Sequence, residues 1–405
     1  MNSVIKNSVR LSVLAGLACA SVAMAQPVQS VRYIGQQSFN AGTIPNVAGT
    51  TVGGISGLTY TGGNSYLGIS DDRSAINPAR FYSINVVVDE SLPAAQRVNA
   101  TFTAQTTLLR DDGTAYPINT LDPEGIALAA GGASVFVSSE GEANLGAGRV
   151  AAPFVNRYNR ATGQLESSLP VNARYTPTFS GTTQVSGVRN NLAFESLTIS
   201  PSQNFLFTAT ENALQQDGLP ATVLNGTNSR IVRYDLTTNT VSGEFVYTTD
   251  PVSTIPNPAN GFATNGLVEL LALEDGTLLA LERSFGVGAT TIGNTGNNCR
   301  LYQITLNGAT DVSGLESLAG QTFTSVTRTL LLDFGTLGIA QDNLEALVLG
   351  PTLPTGERLL LVGSDNNFSP TQFTQFIALG VTFVPAPGAA ALLGLGGLLV
   401  ARRRR

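Results

Sequence analysis

A hairpin pattern that recurs five times along the chain constrains the fold more than any other feature. Its clearest copy, NLAFESLTISPSQNFLFTATEN, spans residues 191–212, where two short apolar runs, Leu197–Ile199 and Phe205–Phe207, are separated by turn-forming residues. This arrangement predicts a β-hairpin. Glu195 precedes the first run and Glu211 follows the second. Because the open ends of a hairpin lie side by side, with the strands about 4.8 Å apart, we expect these two carboxylates to be neighbours.

The five copies predict an all-β fold, a β-propeller with five repeat units. They start 68, 71, 74 and 76 residues apart, at Ser56, Glu124, Glu195, Glu269 and Glu345. A third strand pattern follows every hairpin, and a fourth follows most of them. The fifth copy lacks a convincing fourth strand, whereas Val31–Phe39 has the pattern to supply it, and an N-terminal strand that closes the ring is typical of propellers. We therefore predict one propeller domain over residues 28–383. A sixth blade from residues 150–190 stays open, and a solenoid is disfavoured because no capping repeats are evident.

In a propeller the start of each innermost strand and the end of the second strand lie at the same end of the central channel. The hairpin acids should therefore lie close together around one mouth of the channel. Ca²⁺ binds several oxygen ligands in flexible geometry, so such a group of acids predicts one or more Ca²⁺ sites. The predicted metal-binding acids are Asp71, Asp72, Glu124, Glu140, Glu195, Glu211, Glu282, Glu345 and Asp365. Glu269 joins the same ring in this interpretation. Of these acids, Glu211 and Glu140 are the predicted catalytic residues.

Two arginines directly follow acids of this set. The predicted roles of the arginines and of the acids each have a structural alternative. Arg73 and Arg283 are predicted to bind an anionic or phosphorylated substrate. A salt bridge to the neighbouring acids is the alternative for both. An acid at a strand start can equally bind backbone amides of the next blade.

The residues that the chain lacks exclude several kinds of active site. The sequence has no His and no Trp, Lys6 is its only lysine, and Cys299 is the only cysteine outside the N-terminal segment. Ser-His-Asp triads, Cys-His dyads, His-ligated zinc and Schiff-base lysines are therefore excluded. Carboxylates, arginines, hydroxyls and a hard metal held by oxygen remain.

Both ends of the chain have the pattern of targeting segments. Residues 1–25 have a basic start, an apolar run and an Ala-Met-Ala cleavage pattern, which predicts a signal peptide and export from the cell. Residues 384–405 contain Pro385-Ala386-Pro387, an apolar run and four terminal arginines. This order resembles the PEP-CTERM sorting signal of Gram-negative bacteria, although Ala386 stands where that signal has Glu. The resemblance implies surface sorting, processing by signal peptidase and an exosortase-type protease, and membrane contact only through the tail.

Removal of both ends would leave 16 basic and 28 acidic residues, a net charge of −12. A strongly acidic chain of this kind is not expected to bind nucleic acid or an anionic membrane. The same charge is compatible with cation binding.

The order of the motifs along the chain resembles the phytase-like family, also called the esterase-like activity of phytase family. The matching motifs are SGLTY and ISDDR, DPEGIAL and VSSEGE, FESLTI and TATENAL, LLALERSF, and DNLEALVL with LLLVGSDNN. All nine predicted metal-binding acids and Arg283 fall in these motifs, whereas Ser196 and Ala346 replace the usual Gly after Glu. The resemblance implies an exported bacterial propeller with bound Ca²⁺ that hydrolyses phosphoesters or esters.

Two functions follow as hypotheses. The first is a Ca²⁺-dependent hydrolase of a small phosphorylated or ester substrate, in which the carboxylates hold the ions and an acid acts as general base. The second is a non-catalytic propeller at the cell surface or in the matrix that binds an exopolymer ligand and holds calcium for structure. The sorting tail and the shortage of basic residues are the reasons for the second hypothesis, and the hydrolase is the preferred one of the two.

Overall fold

Five four-stranded antiparallel sheets make up the computed structural model, which describes residues 27–384. Strand β1 spans Val28–Asn40 and belongs to the last sheet. The first blade contains β2 (Ile55–Gly62), β3 (Ser65–Ser70), β4 (Arg80–Val88) and β5 (Val98–Thr107). The second contains β6 (Pro123–Leu128), β7 (Ser134–Ser139), an inserted hairpin of β8 (Glu142–Asn144) and β9 (Arg149–Ala151), and then β10 (Phe154–Asn159) and β11 (Leu165–Leu169).

The remaining strands follow in the same order. A small hairpin of β12 (Thr178–Ser180) and β13 (Thr183–Ser186) leads to the third blade, which contains β14 (Thr198–Ile199), β15 (Phe205–Ala209), β16 (Asn228–Asp235) and β17 (Thr240–Thr248). The fourth contains β18 (Ala263–Glu274), β19 (Thr277–Gly286), β20 (Asn297–Thr305) and β21 (Thr327–Asp333). The fifth contains β22 (Asn343–Thr352), β23 (Arg358–Asp365), β24 (Phe373–Phe383) and β1. Short 3₁₀ turns occupy Ala94–Gln96, Leu145–Ala147, Ala173–Tyr175, Ile292–Asn294 and Phe334–Leu337.

This arrangement is a five-bladed β-propeller, as the repeats predict. Residues 150–190 form no sixth blade. They supply the third and fourth strands of the second blade and the two-stranded hairpin that follows it. Within residues 27–384, no helix is both long enough and apolar enough to cross a membrane. The predicted signal peptide and, apart from Val384, the predicted sorting tail lie outside the described residues and stay predictions.

Five apolar clusters hold the blades together, one at each contact between neighbouring blades. The cluster between the first and second blades, for example, joins Ile69 and Phe81 to Ile126 and Val137. Equivalent clusters fill the other four contacts. Because successive side chains of a strand point to opposite faces, a blade with neighbours on both sides needs apolar residues on both faces. This requirement explains why the inner strands have continuous apolar runs instead of a strict alternation.

The N-terminal strand closes the ring, as predicted. β1 pairs antiparallel with β24, with Tyr33 opposite Leu379, and is the outermost strand of the fifth blade. Ile34 is 1% exposed and belongs to the apolar cluster between the fifth and first blades. On the surface, Arg32 forms ion pairs with Glu357 of the fifth blade and Glu90 beside the first. The first and last blades are therefore joined through a segment that precedes both in sequence.

We expect Ile34→Ala to lower the free energy of unfolding by about 2–5 kcal/mol, because the substitution leaves a cavity in a closed core. Denaturant unfolding followed by circular dichroism measures the change. Val185→Ala, at an exposed position of β13, is the control and should change stability by no more than about 0.5 kcal/mol. Equal effects of the two substitutions would show that β1 is a loosely attached arm.

Candidate metal centre

The β-hairpin register explains which side chains reach the channel. In four blades a register shift interrupts the pairing of the two inner strands near the start of the first strand. A β-bulge of this kind re-aims the side chain that it leaves unpaired. The register of the five hairpins makes Ser56, Glu124, Glu195, Val268 and Glu345 equivalent, and we call this site the inner position. The equivalent site after the second strand, the return position, is occupied by Asp71, Glu140, Glu211, Arg283 and Asp365.

The inner strands approach one another closely, and in four of the five blades the residue after the inner position is small. A Cβ added at Gly57 would lie 2.7 Å from the carbonyl oxygen of Glu124, and one added at Gly125 would lie 2.5 Å from the Cβ of Leu197. The third and fifth blades have the small residues Ser196 and Ala346 at this point. Close approach of the strands brings the acids of different blades within contact distance.

Two groups of three carboxylates result, and they share one member. Asp122, Glu124 and Glu140 each place a carboxylate oxygen within 4.8 Å of the other two, and so do Glu140, Glu195 and Glu211. All five side chains are buried. The predicted proximity of Glu195 and Glu211 is therefore confirmed. Glu140 links the two groups, which therefore lie on the second and third blades. Asp71, Glu345 and Asp365 occupy other inner and return positions and belong to neither group. We call these eight acids together the centre.

Burial raises the pKa of every carboxyl in this centre, and the neighbouring acids add to the effect. The pKa of Asp71 rises to about 8 through loss of hydration and through Asp122 and Glu345. The pKa of Glu211 rises to about 7 through loss of hydration, with Arg283 opposing the rise. Loss of hydration is also the largest cause of the raised pKa of Asp122, Glu124, Glu140, Glu195, Glu345 and Asp365. The centre must therefore hold protons or cations to be stable.

Arg283 supplies one of the needed positive charges from within the protein. Its Nη1 donates to Asn343 and Glu345, and its Nη2 donates to Glu211 Oε1 over 3.4 Å. The side chain is only 11% exposed. The fourth blade thus contributes a cation where the other four blades contribute an acid. The negative charge is compensated internally on the side of the third and fifth blades.

Arg73 lies on the opposite side of the mouth and is more accessible. Its Nη2 is 2.5 Å from Asp122 Oδ2 and donates to Asn191 over 2.8 Å. The side chain is 29% exposed. Both predicted substrate-binding arginines therefore form ion pairs with acids of the centre, which is the alternative considered for them.

Several carboxylate oxygens of the centre accept no hydrogen bond from the described residues. They include Asp71 Oδ1, Asp122 Oδ1 and Glu211 Oε2. A buried acceptor without a partner costs roughly 1–3 kcal/mol, and more when it is charged. An all-oxygen donor set with unused acceptors fits a hard cation such as Ca²⁺. The residues present are thus compatible with metal binding.

Two predicted metal-binding acids lie outside the centre. Asp72 pairs with Arg80, with Oδ2 2.8 Å from Nη1, and accepts backbone hydrogen bonds from Ala75, Ile76 and Asn77. Asp72 follows the return position by one residue, and it organises the loop before β4.

Glu282 precedes the return position by one residue and therefore has a different environment. It accepts hydrogen bonds from Tyr247 and Asn265 and pairs with Arg328, with Oε1 2.7 Å from Nη1. Because neighbouring residues of a strand face opposite sides, Arg283 and not Glu282 reaches the centre. The sequence alignment of the fourth copy was wrong by one residue on both strands.

The same one-residue offset of the fourth copy explains why Glu269 does not occupy the inner position. Val268 occupies the inner position, and Glu269 Oε1 accepts backbone hydrogen bonds from Leu197 and Leu270 over 3.2 and 2.8 Å. The alternative of an acid that binds amides of the neighbouring blade therefore applies to Glu269. Glu124 and Glu345 instead share a hydrogen bond from the Ser56 hydroxyl.

Sequence reasoning missed Asp122, which belongs to one of the two carboxylate groups. It lies two residues before Glu124 in the DPEG motif, directly before β6, and residues two apart in an extended chain share a face. Asn343 lies at the same distance before Glu345 and donates to it over 3.0 Å. The i, i+2 spacing of polar residues was the signal that could have identified both.

We expect the protein without divalent cations to lose stability as the pH rises from about 4 to about 8. The unfolded carboxyls ionise near their ordinary values of 3.8 and 4.5, while Asp71 and Glu211 keep protons up to about pH 8 and 7 in the folded state. The folded state binds more protons in this window, so its stability falls with rising pH. Denaturant unfolding in chelator at several pH values measures the trend.

Glu211→Gln should reduce that pH dependence, because it removes one group with a raised pKa. Asp111→Asn, at an exposed acid of a loop, is the matched control and should leave the slope unchanged. Parallel curves for Glu211→Gln and the unmodified protein would contradict the electrostatic account of the centre.

Comparison with known proteins identifies the family. The family model described as phytase-like, esterase-like activity of phytase, matches residues 50–368. No curated protein matches the chain. The match includes both carboxylate groups, Arg73 and Arg283, and leaves out the closing strand β1.

Similar solved structures include the Dos1 propeller, with 9% identity, a TM-score of 0.32 and coverage of 80% of this chain and 68% of that one. Hydrazine synthase from Kuenenia stuttgartiensis has 9% identity, a TM-score of 0.30 and coverage of 85% and 99%. A structural genomics protein of unknown function from Bacteroides thetaiotaomicron VPI-5482 has 11% identity, a TM-score of 0.34 and coverage of 86% and 75%. Similarity at this level carries no functional argument. The family match, which spans most of the chain, shows that this five-bladed propeller belongs to the phytase-like family.

Proposed function

We propose that the protein is a Ca²⁺-dependent hydrolase of phosphoesters or carboxylic esters, with its reaction centre at Glu140. The observation that carries the proposal is the position of Glu140 in two adjoining carboxylate groups. Oxygens of Asp122 and Glu211, one in each group, accept no hydrogen bond from the described residues. Buried acids that are held together without enough protein cations are expected at sites that use a metal.

The metal-binding residues in this proposal are Asp122, Glu124 and Glu140 in one group and Glu140, Glu195 and Glu211 in the other. Ca²⁺ suits them because it accepts several carboxylate oxygens in flexible geometry. When bound, the ion would polarise an ester oxygen and make water a better nucleophile at neutral pH.

The chain's own residues would orient the substrate and move the proton. Glu211 would act as the general base, because a carboxylate held next to the bound ion lies within reach of the water that the ion activates. Its Oε2 accepts no hydrogen bond from the described residues and can take a proton from water. Arg73 is the more exposed arginine of the mouth and would orient an anionic group of the substrate.

Glu140→Gln should lower kcat by at least about 100-fold. It should also abolish the dependence of the hydrolysis rate on Ca²⁺, because the amide removes the negative charge that both carboxylate groups share. Initial rates with p-nitrophenyl phosphate and p-nitrophenyl acetate, at saturating Ca²⁺, measure the loss. Glu166→Gln, at a surface acid that pairs with Arg157, is the control and should keep full activity. Absence of activity of the unmodified protein on both substrates and on a wider ester panel would refute the proposal.

A non-catalytic propeller that binds a ligand with structural calcium is the second candidate function. Burial favours it, because the acids of the two groups are at most 6% exposed and leave little space for a reacting substrate among them. Under this function, Ca²⁺ raises the melting temperature of the unmodified protein, Glu140→Gln removes that increase, and no hydrolysis accompanies either. The same experiments therefore separate the two candidates.

Export and sorting complete the proposed function. The basic start, apolar run and Ala-Met-Ala pattern support removal of residues 1–25, and the apolar run followed by four arginines supports processing of residues 384–405. We expect protein recovered from the producing cell to begin at Gln26 and to lack the terminal arginines, which intact-mass spectrometry measures. Recovery of the full-length chain from the cytoplasm would contradict this expectation.

A further inference from the structure

Three neighbouring loops at the mouth end of the third and fourth blades contain no charged residue. They include residues 218–227 between β15 and β16, residues 251–262 between β17 and β18, and residues 287–296 between β19 and β20. Charged side chains normally prefer exposed positions. Their absence from three adjacent loops therefore distinguishes this surface, which we call the uncharged face.

Large apolar side chains project from the uncharged face into solvent. Leu219 and Leu224 are 80% and 81% exposed, and Phe262 is 67% exposed. The other exposed large apolar residues of the three loops are Val223, Ile255, Val287 and Ile292. Apolar residues exposed singly are ordinary, whereas a contiguous group of them marks an interaction surface.

Backbone hydrogen bonds join the three loops into one surface. The amide of Val252 donates to the carbonyl of Thr222 over 2.9 Å, which connects the second loop to the first. The amide of Val287 donates to the carbonyl of Phe262, and the amide of Asn257 donates to the carbonyl of Val287, each over 2.9 Å. The apolar side chains therefore stand on an ordered framework, which loses little conformational entropy when a partner binds.

The acids that border the uncharged face are paired within the chain. Asp217 directly precedes the first loop and is buried, with Oδ2 2.6 Å from Nε of Arg230. Asp250 directly precedes the second loop and pairs with Arg300 and Arg328. Outside its two terminal segments the chain has 28 acidic and 16 basic residues. Two copies of this acidic protein therefore meet with the least repulsion through the uncharged face.

The uncharged face has both a protrusion and a pocket. The pocket has a volume of about 240 Å³ and a mostly apolar wall that includes Leu219, Pro220, Thr222 and Asn225. A cavity of about 150 Å³ accommodates a benzene ring, so this pocket has room for an aliphatic side chain. Leu224 projects from the same loop and is such a side chain. A contact with two-fold symmetry needs a patch that is complementary to itself, because each copy offers the other the same residues.

We propose that the uncharged face is a self-association surface, through which two copies of the chain form a symmetric dimer with Leu224 of each copy in the pocket of the other. An interface of standard size uses roughly 20–30 residues a side, and the three loops supply that number. The proposal does not depend on hydrolysis, because no residue of the three loops belongs to the centre.

A lipid surface matches the uncharged face less well. Membrane-binding surfaces usually combine apolar side chains with Lys or Arg that attract anionic headgroups, and Trp and Tyr are the aromatic residues enriched at the membrane interface. The three loops contain none of these four residue types. A second copy is therefore the partner that the composition favours.

Sedimentation velocity of the protein recovered from the producing cell tests the proposal. The dimer fraction should rise with protein concentration, as mass action requires. The dimer should also become more stable when NaCl is raised from about 0.05 to about 0.5 M, because salt screens the repulsion between two acidic copies. A protein that stays monomeric up to about 1 mM, or a dimer that dissociates in salt, would overturn the proposal.

Leu224→Asp should weaken dimerisation at least about 10-fold, because it places an unpaired charge in an apolar pocket. Ile118→Asp is the matched control, since Ile118 is an exposed apolar residue between the first and second blades. It introduces the same charge and should change the dissociation constant of the dimer less than about twofold. Leu219→Asp, at the wall of the pocket, should act as Leu224→Asp does and remains informative if that variant fails to fold. Unchanged dimerisation in a folded Leu224→Asp or Leu219→Asp protein, or an equal loss in Ile118→Asp, would contradict the proposal.

Co-sedimentation with phosphatidylcholine vesicles separates a second copy from a lipid surface as the partner. The proposal expects Leu224→Asp to lower dimerisation in solution and to leave the vesicle-bound fraction unchanged. A vesicle-bound fraction that falls in Leu224→Asp, while the unmodified protein is monomeric in solution, would refute the dimer and assign the uncharged face to lipid.

Discussion

The packing of each blade against two neighbours is the constraint on which the rest of the structure depends. Five apolar clusters fill the contacts between blades, and the last of them requires a strand from the N-terminus. A ring with five blades brings the inner strands close enough for a Cβ at Gly57 or Gly125 to collide with the next blade. The acids that follow from the hairpin repeat are thereby forced together. The carboxylate centre is therefore a direct result of ring closure.

Electrostatic repulsion at this centre is relieved unevenly. Arg283 compensates Glu345 and Glu211 from the fourth blade, and Arg73 compensates Asp122 from the loop of the first. The groups that share Glu140 keep acceptors without partners between these two arginines. A propeller with five identical blades would have no such asymmetry. The departure of the fourth blade from the repeat therefore determines which acids are left to be neutralised by protons or by a bound cation.

Most of the centre could be predicted from the sequence, and the errors have one physical cause. Glu124, Glu140, Glu195 and Glu211 were identified because acids flank apolar runs in a hairpin that repeats. Asp72 and Glu282 were assigned to the centre although each lies one residue from the return position. A shift of one residue moves a strand side chain to the other face, and register shifts near the inner position hide the correct alignment.

The sequence by itself determined the all-β class, the five repeats, the closing strand and the presence of an acidic mouth. These features depend on local patterns of apolar and turn-forming residues, which recur at a regular spacing and can be counted. The tertiary structure decided that Arg283 replaces an acid, that Asp122 joins Glu124 and Glu140, and that Arg73 pairs with Asp122. Those outcomes depend on where bulges shift the register and on contacts between blades about 70 residues apart in sequence. No local pattern encodes such contacts, and they become visible only when the ring is closed.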